Sequence, residues 1–358
     1  MKKFILAFIV CSQLAAFAQH KTRISAVTAG QQYISVGANE TVVVAPEFQP
    51  PSVALLPISS VVTTGNNTTL HLAVNTPLDS YNAPVLANQY NKNSSTGYPV
   101  YYALVTSGLS TGAFYSILSN TEHQIVIDNQ GDALIAKDIK VIDLRPYWTL
   151  ETLFPPSGSG ASFIETTNPA NIMTKLILSP LTVTGIQNPA SEGQKFYFDA
   201  SIQNWVLDSI PSVAAGGVPV PPGRYLYMQN TGNGVFPIDS YIAGTVLKTP
   251  FRITLYASAT TDVRTLFALP RASSYKLSEI GFDRLNFSSS PIALFGDIFA
   301  VDDGKGGVSK RYYKSKNKWY TVGSQTPVNP FLATGTACSV LKHASYNGNK
   351  ILKNKSNK

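Results

Sequence analysis

The sequence is distinguished by what it holds little of: charged side chains, cysteine and long apolar runs. Only 13% of its 358 residues are Asp, Glu, Lys or Arg, about half the share of roughly 25% in average globular proteins. Two cysteines, Cys11 and Cys338, are too few for a disulfide scaffold. No stretch has the ~20 consecutive apolar residues of a transmembrane helix. Charge-rich disordered chains, disulfide-bonded mini-domains and helical membrane proteins are therefore excluded.

Turn-forming and aromatic residues take the place of charge. The chain has 25 Gly, 23 Pro, 18 Tyr and 17 Phe. Short β-branched or aromatic runs, such as 41–44, 69–74 and 98–105, alternate with turn residues. This spacing is typical of strands joined by tight turns. We predict an all-β protein built from antiparallel β-barrel or sandwich modules in tandem.

The N-terminus has the pattern of a secretory signal peptide. A basic pair, Lys2-Lys3, precedes an apolar run, and Ala16-Phe17-Ala18 fits the small-residue cleavage site. We predict that residues 1–18 are a signal peptide and that the exported chain lies in the periplasm, on the cell surface or outside the cell. Cleavage removes Cys11, so Cys338 remains as one thiol, which we predict to be a small buried hydrophobe.

The order of landmarks after residue 145 predicts an internal duplication. Lys195-Phe196-Tyr197 followed by Asn204-Trp205 has a counterpart in Arg311-Tyr312-Tyr313 followed by Trp319. A Thr-Leu-Phe before a Pro loop, and a segment before Ser-Pro (174–178 and 283–287), also recur in the same order. We predict these divisions: an N-terminal β-domain at 19–145, a first β-module at 146–247, a second at 248–342, and a basic disordered tail at 343–358.

The runs YYALVTSGLSTGAFYSILSN, PYWTLETLFP, KFYF…NWVLDS and PPGRYLYMQN resemble an uncharacterised family of exported bacterial β-rich proteins, known only as hypothetical proteins. The resemblance covers residues 40–341. It implies export and a β-rich fold, and it implies no activity, cofactor or site residue. The basic segment 310–318 and the Lys-rich C-terminus depart from the family pattern.

No motif for catalysis, a cofactor or a metal is present. None of the four histidines lies two or four residues from another, as a local pair of metal ligands would, and neither G-x-S-x-G nor G-x-G-x-x-G occurs. We therefore predict no catalytic, cofactor-binding or metal-binding residue. Pairs of carboxylates near aromatic strands would suit a glycosidase, and chance placement explains them better. The candidates are Glu151, Glu165, Glu192, Asp199 and Asp208.

Four aromatic side chains are candidates for stacking on a sugar ring: Trp205, Tyr225, Tyr227 and Trp319. Core packing is the favoured alternative, because the two tryptophans recur at matched places in the duplication. Tyr225 and Tyr227 alternate with Leu226 and Met228, so a regular strand should turn one of these two pairs outward.

Positive charge is concentrated at the C-terminus. The net charge is +8, and residues 304–358 hold eleven Lys or Arg and no acid. Five of these flank a predicted hairpin tip: Lys310, Arg311, Lys314, Lys316 and Lys318. They suggest an anionic partner such as an acidic polysaccharide, lipopolysaccharide or another envelope protein, whereas export disfavours nucleic acid. A solvated hairpin that protects a sheet edge is the simpler alternative.

These observations favour an exported, non-enzymatic structural or adhesive β-protein that docks on an anionic surface through its basic C-terminus. The alternative is a secreted carbohydrate-binding module or carbohydrate-active hydrolase. The two differ in what they require: the alternative needs a cleft where exposed rings meet two close carboxylates.

Overall fold

The structure, a computed structural model, describes residues 29–73, 77–130, 132, 139–156, 163–184, 188–231, 238–247, 250–282, 286–344 and 350–353. The predicted signal peptide at 1–18 lies outside these residues. The predicted all-β class is confirmed, since the described chain is almost entirely strands and turns. No helix among the described residues has the length and apolarity needed to cross a membrane.

Twenty-seven strands are described. The first eight are β1 (Ala29–Val36), β2 (Glu40–Val44), β3 (Ala54–Thr64), β4 (Asn67–Leu72), β5 (Tyr101–Ser107), β6 (Phe114–Asn120), β7 (Gln124–Asp128) and β8 (Val141–Pro146). The next nine are β9 (Trp148–Thr149), β10 (Thr174–Leu178), β11 (Thr182–Thr184), β12 (Gln194–Asp199), β13 (Asn204–Leu207), β14 (Ile210–Ala214), β15 (Pro219–Val220), β16 (Leu226–Asn230) and β17 (Ile238–Thr245).

The last ten strands are β18 (Arg252–Leu255), β19 (Val263–Ala268), β20 (Tyr275–Lys276), β21 (Ile298–Asp302), β22 (Val308–Ser315), β23 (Lys318–Thr321), β24 (Pro327–Val328), β25 (Phe331–Leu332), β26 (Ala337–Lys342) and β27 (Lys350–Lys353). Two one-turn helices are α1 (Leu150–Leu153) and α2 (Pro189–Glu192). Three 3₁₀ turns cover Pro169–Asn171, Leu277–Glu279 and Ala293–Phe295.

Six strands close into an antiparallel barrel in the order β3-β4-β7-β6-β5-β8. Alternating side chains of these strands point inward, as in β4, where every second residue is buried. They fill a separate core that includes Leu56, Leu70, Ile117, Ile127 and Ile142. Closure leaves no free strand edge, so the barrel is a complete unit between residues 54 and 146.

The remaining strands form two sheets with the same order. One sheet runs β14-β13-β12-β10-β16-β2 and the other runs β24-β23-β22-β21-β26-β19, with β11 added at its end. Four two-stranded antiparallel pairs also correspond between the copies: β1–β17 matches β18–β27, and β9–β15 matches β20–β25. Each matched strand occupies the same place in chain order. The chain therefore contains two copies of a ten-strand unit, called copy one (β1, β2, β9, β10, β12–β17) and copy two (β18–β27).

The copies begin and end at different places from those expected. Copy one starts at β1 and is interrupted after β2 by the barrel, so residues 19–145 do not form one domain. Two landmarks were also matched wrongly. The counterpart of β10 is β21 rather than 283–287, and the two Thr-Leu-Phe runs lie in different elements, at the end of α1 and in β19. Strand pairing between distant segments, which sequence proximity does not reveal, decides these boundaries.

The predicted disordered tail contains a strand. Residues 350–353 form β27, which pairs antiparallel with β18 from Arg252↔Lys353 to Leu255↔Lys350. The same place in copy one is taken by β17, which pairs with β1. Residues 345–349 and 354–358 lie outside the described residues.

The two sheets pack against each other through β16. Leu226 and Met228 on one face belong to the core of copy one. Tyr225, just before β16, and Tyr227 lie on the other face, in a layer shared with Leu266 of copy two. The expectation that one pair faces outward is therefore wrong, because the second sheet covers the face that would otherwise meet solvent. Cys338 is buried in copy two, and burial raises the pKa of its thiol.

Candidate functional site

Strands β22 and β23 form a tight hairpin, here called the basic hairpin. Its two turn residues, Lys316 and Asn317, both have positive φ, at 46° and 64°, as a type I′ turn requires. The cations Lys310, Arg311, Lys316 and Lys318 are exposed. Among the described residues, none of these four forms an ion pair with a carboxylate. The hairpin therefore presents uncompensated positive charge to solvent.

Lys314 has a different role from the other four cations. It is half-buried, its Nζ donates to the Phe282 carbonyl at 2.9 Å, and it lies 5.9 Å from the centroid of the Trp319 ring. In copy one the corresponding carbonyl, that of Phe154, accepts from Trp205 Nε1 at 2.9 Å. Lys314 thus completes the core of copy two, and its inclusion among the surface-binding cations is corrected.

The four candidate stacking rings are in the interior. Trp205, Tyr225, Tyr227 and Trp319 are 0%, 1%, 0% and 5% exposed. Trp205 packs against Phe154, Phe163 and Phe198, and Trp319 packs against Phe282, Phe287 and Phe299. These four rings are core residues in this structure, because none has a ring face exposed for stacking on a sugar.

An exposed apolar turn lies next to the basic hairpin. Ile292, Leu294 and Phe295 are 57%, 69% and 68% exposed. The segment is fixed to β22 by the bond from Ser290 N to Lys314 O, at 3.0 Å. We call these three side chains the apolar turn. The sequence signal for this turn is the run Pro291–Phe295, which is apolar without strand alternation and matches no motif.

The candidate carboxylates do not gather around exposed rings. Asp208 is paired with Lys175 at 3.0 Å, and Asp199 accepts hydrogen bonds from Ser201 within its own turn. Glu151 and Glu192 are exposed on the two short helices. The described residues hold no group of three or more metal-ligating side chains.

A cavity of about 530 Å³ opens where the barrel meets both copies. We call it the junction cavity. The barrel supplies Phe114 and Tyr115, Tyr147 follows its last strand, copy one supplies Arg224, and copy two supplies Arg252, among others. Sequence reasoning missed it because its walls come from three segments that are far apart in the chain. No local motif marks such a site.

The two arginines of the junction cavity are in different electrostatic surroundings. Arg252 donates to the carbonyl of Leu109. Burial lowers its pKa, and nearby Tyr115 and Asp132 counter that effect. Burial lowers the pKa of Arg224 to about 10, and the groups that counter it are two tyrosines, Tyr225 and Tyr256.

Comparison with family models, with curated proteins and with solved structures found no match. Function is therefore argued from the geometry of this chain alone.

Proposed function

We propose that the protein is an exported, non-enzymatic structural or adhesive β-protein that docks on an anionic glycolipid surface, of which lipopolysaccharide is the model, through the basic hairpin. The observation that carries the proposal is the set of four exposed cations, Lys310, Arg311, Lys316 and Lys318, which no described carboxylate neutralises. The copies share a topology, and copy one has no such cluster of cations: its hairpin β12–β13 has one, Lys195, and an acid, Asp199, at the end of its first strand.

The apolar turn favours a glycolipid over a soluble polysaccharide. Ile292, Leu294 and Phe295 project from the segment that is bonded to β22. Surfaces that combine cations with protruding apolar side chains bind lipid interfaces, where phosphates meet acyl chains. An acidic polysaccharide would engage the cations and leave the apolar turn unused.

The first test measures binding to vesicles that contain lipopolysaccharide. A Lys or Arg close to an anionic membrane contributes about 1 kcal/mol. Lys316→Gln/Lys318→Gln should therefore lose about 2 kcal/mol, or about thirtyfold in Kd. Sedimentation with vesicles at increasing salt measures both the loss and its screening. The matched control is Lys92→Gln/Lys140→Gln, which removes two exposed cations from the barrel.

A second variant separates the two kinds of anionic surface. Leu294→Ser/Phe295→Ser should weaken vesicle binding and leave retention on a heparin column unchanged. If Lys316→Gln/Lys318→Gln binds both vesicles and heparin as tightly as the wild type, docking through the hairpin is refuted. Retention on heparin without any vesicle binding would transfer the proposal to an acidic polysaccharide.

A further inference from the structure

We propose that the junction cavity binds an apolar monocarboxylic acid, with the carboxylate meeting Arg224 and the apolar body lying against the aromatic wall. This site is separate from the basic hairpin and does not depend on the proposed docking function. Its residues take no part in that function, and the cavity is enclosed by parts of all three units.

The walls of the cavity are held in place by close backbone contacts. Gly112 has φ +90°, and a Cβ there would lie 2.1 Å from the Pro250 carbonyl oxygen. The Arg252 amide donates to Gly112 O at 2.9 Å. Phe114 and Phe251 stack with their ring centroids 5.2 Å apart. The barrel is thus fixed to the start of copy two at the rim of the cavity.

A second contact joins the two copies beside the cavity. Gly223 has φ +81°, and a Cβ there would lie 3.0 Å from the Phe251 ring. The Ala268 amide donates to Gly223 O at 2.8 Å. Arg224 follows directly after this fixed glycine, so its starting point at the cavity wall is defined by backbone geometry. A preorganised cavity loses little conformational entropy on binding.

Arg224 is the residue that indicates an anionic ligand. Its Nε is buried and has no hydrogen-bond partner, and no described carboxylate forms an ion pair with it. Buried cations are normally paired. Lys342 and Arg145 are examples, with carboxylate partners 2.6 Å and 2.7 Å away. The carboxylate of a bound ligand would provide Arg224 with a counter-charge and a hydrogen-bond acceptor, because guanidinium forms strong charge-assisted bonds with carboxylates.

The other lining residues define the rest of the ligand. Phe114, Leu266 and Phe267 give apolar surface, and Pro221-Pro222 adds more. Arg252 also has a buried Nε without a hydrogen-bond partner, but it donates to Leu109 O and lies near the Asp132 carboxylate. Arg224 is therefore the guanidinium of the cavity that best fits one acid group. The volume suits a small organic molecule. These features fit a monocarboxylate with an aromatic or aliphatic body better than a polyphosphate or a sugar acid.

The test measures the affinity of the full chain for three acids and one alcohol by isothermal titration calorimetry. The probes are decanoate, 4-phenylbutyrate, glucuronate and 1-decanol. We expect the two apolar acids to bind. Glucuronate and decanol should bind at least about tenfold more weakly, because glucuronate lacks the apolar body and decanol lacks the carboxylate. No binding of either apolar acid overturns the proposal, and preference for glucuronate overturns the assignment of an apolar body.

Arg224→Gln tests the assigned residue. It should weaken binding of the acids by about tenfold or more and leave the weak binding of decanol unchanged. The unliganded variant should keep or raise its Tm, since a half-buried charge that forms no ion pair with a described carboxylate has been removed. Lys92→Gln, which removes an exposed cation outside both the cavity and the basic hairpin, is the matched control. Equal affinity of wild type and Arg224→Gln for the acids contradicts the assignment.

A variant at the opening of the cavity tests the site independently, in case Arg224→Gln does not fold. Leu181 lines the cavity and is 48% exposed. Leu181→Trp should narrow the opening and weaken binding of both apolar acids, with no change in charge. Unchanged affinity in this variant would place the bound acid elsewhere on the protein.

Discussion

Corresponding backbone carbonyls of the two copies accept a hydrogen bond from different side chains. The carbonyl that ends the α1 region in copy one is bonded by an indole, and its counterpart in copy two is bonded by the ammonium of Lys314. Phe198 and Lys314 each lie opposite the tryptophan of their hairpin in strand register. The fold therefore fixes where a donor is needed and leaves the choice of side chain open.

A second pair of equivalent positions replaces neutral groups by charges. Thr174 faces Asn230 in the register of β10 and β16, and both are buried. The corresponding positions of copy two hold Asp297 and Lys342, whose Oδ2 and Nζ are 2.6 Å apart and almost wholly buried. The backbone amides of Ile164 and Ser288 donate to Thr174 Oγ1 and Asp297 Oδ2 respectively. The two pairs thus occupy the same place in their sheets, one pair being neutral and the other an ion pair.

Exchanging these pairs predicts a large non-additivity in stability. Asp297→Thr leaves the Lys342 ammonium buried without a counter-charge, which should cost about 3–5 kcal/mol. Asp297→Thr/Lys342→Asn installs the pair of copy one and should recover most of that loss, because a neutral pair has a smaller desolvation penalty than a charged one. Urea unfolding followed by tryptophan fluorescence measures both. Asp208→Asn, at a partly exposed pair, should cost less than about 1 kcal/mol. Equal destabilisation by the single and double variants would contradict the argument.

At the scale of elements, local signals in the sequence gave correct predictions and distant ones did not. The hairpins β12–β13 and β22–β23 were recognisable, because a turn and its two flanking strands lie within about fifteen residues. The Thr-Leu-Phe landmark failed because the Thr149 side chain accepts from Thr152 N and begins a helical turn, while Val263–Ala268 pairs on both sides as a strand. A capping contact and a pair of neighbouring strands outweighed the shared tripeptide.

The strand β27 gives the prediction at this scale. Deleting residues 350–358 leaves β18 without its partner. At about 1 kcal/mol for each lost backbone hydrogen bond, the free energy of unfolding should fall by a few kcal/mol, and the β18 amides should exchange faster with solvent. Hydrogen exchange by mass spectrometry measures the local effect. Deleting only 354–358 is the control and should change neither quantity. Unchanged exchange in β18 after the longer deletion would contradict the pairing.

For the whole molecule, the sequence indicated the class and the duplication but not the assembly. Composition and turn spacing sufficed for an all-β protein, since they reflect local preference. The insertion of the barrel into copy one, and the junction cavity that it helps to form, depend on contacts across more than a hundred residues. One such contact is the hydrogen bond from Arg252 N to Gly112 O, at 2.9 Å. The role of a side chain such as Arg224 depends on the cavity that these units form together, so no local sequence pattern predicts it.

The barrel gives the prediction for the whole molecule, because its two ends lie together. Arg145 Nη1 donates to the Pro50 carbonyl at 2.9 Å, and Val53 N donates to Leu144 O at 2.8 Å. An insertion whose ends are adjacent can be removed without stretching its host. Residues 51–146 alone should therefore fold to a β-rich domain that unfolds cooperatively in urea, since the barrel has its own core and no free edge.

The complementary chain, with residues 51–146 replaced by a short Gly-Ser linker, should keep both copies folded and lose the junction cavity. It should therefore retain vesicle binding through the basic hairpin and lose affinity for apolar acids, because Phe114 and Tyr115 are gone. Circular dichroism, urea unfolding and calorimetry on the two chains measure these outcomes. Some destabilisation is expected where Leu247 and Phe251 lose the barrel residues that cover them. A barrel that binds a hydrophobic dye and melts without cooperativity would show that it depends on its host, and would contradict its description as an inserted unit.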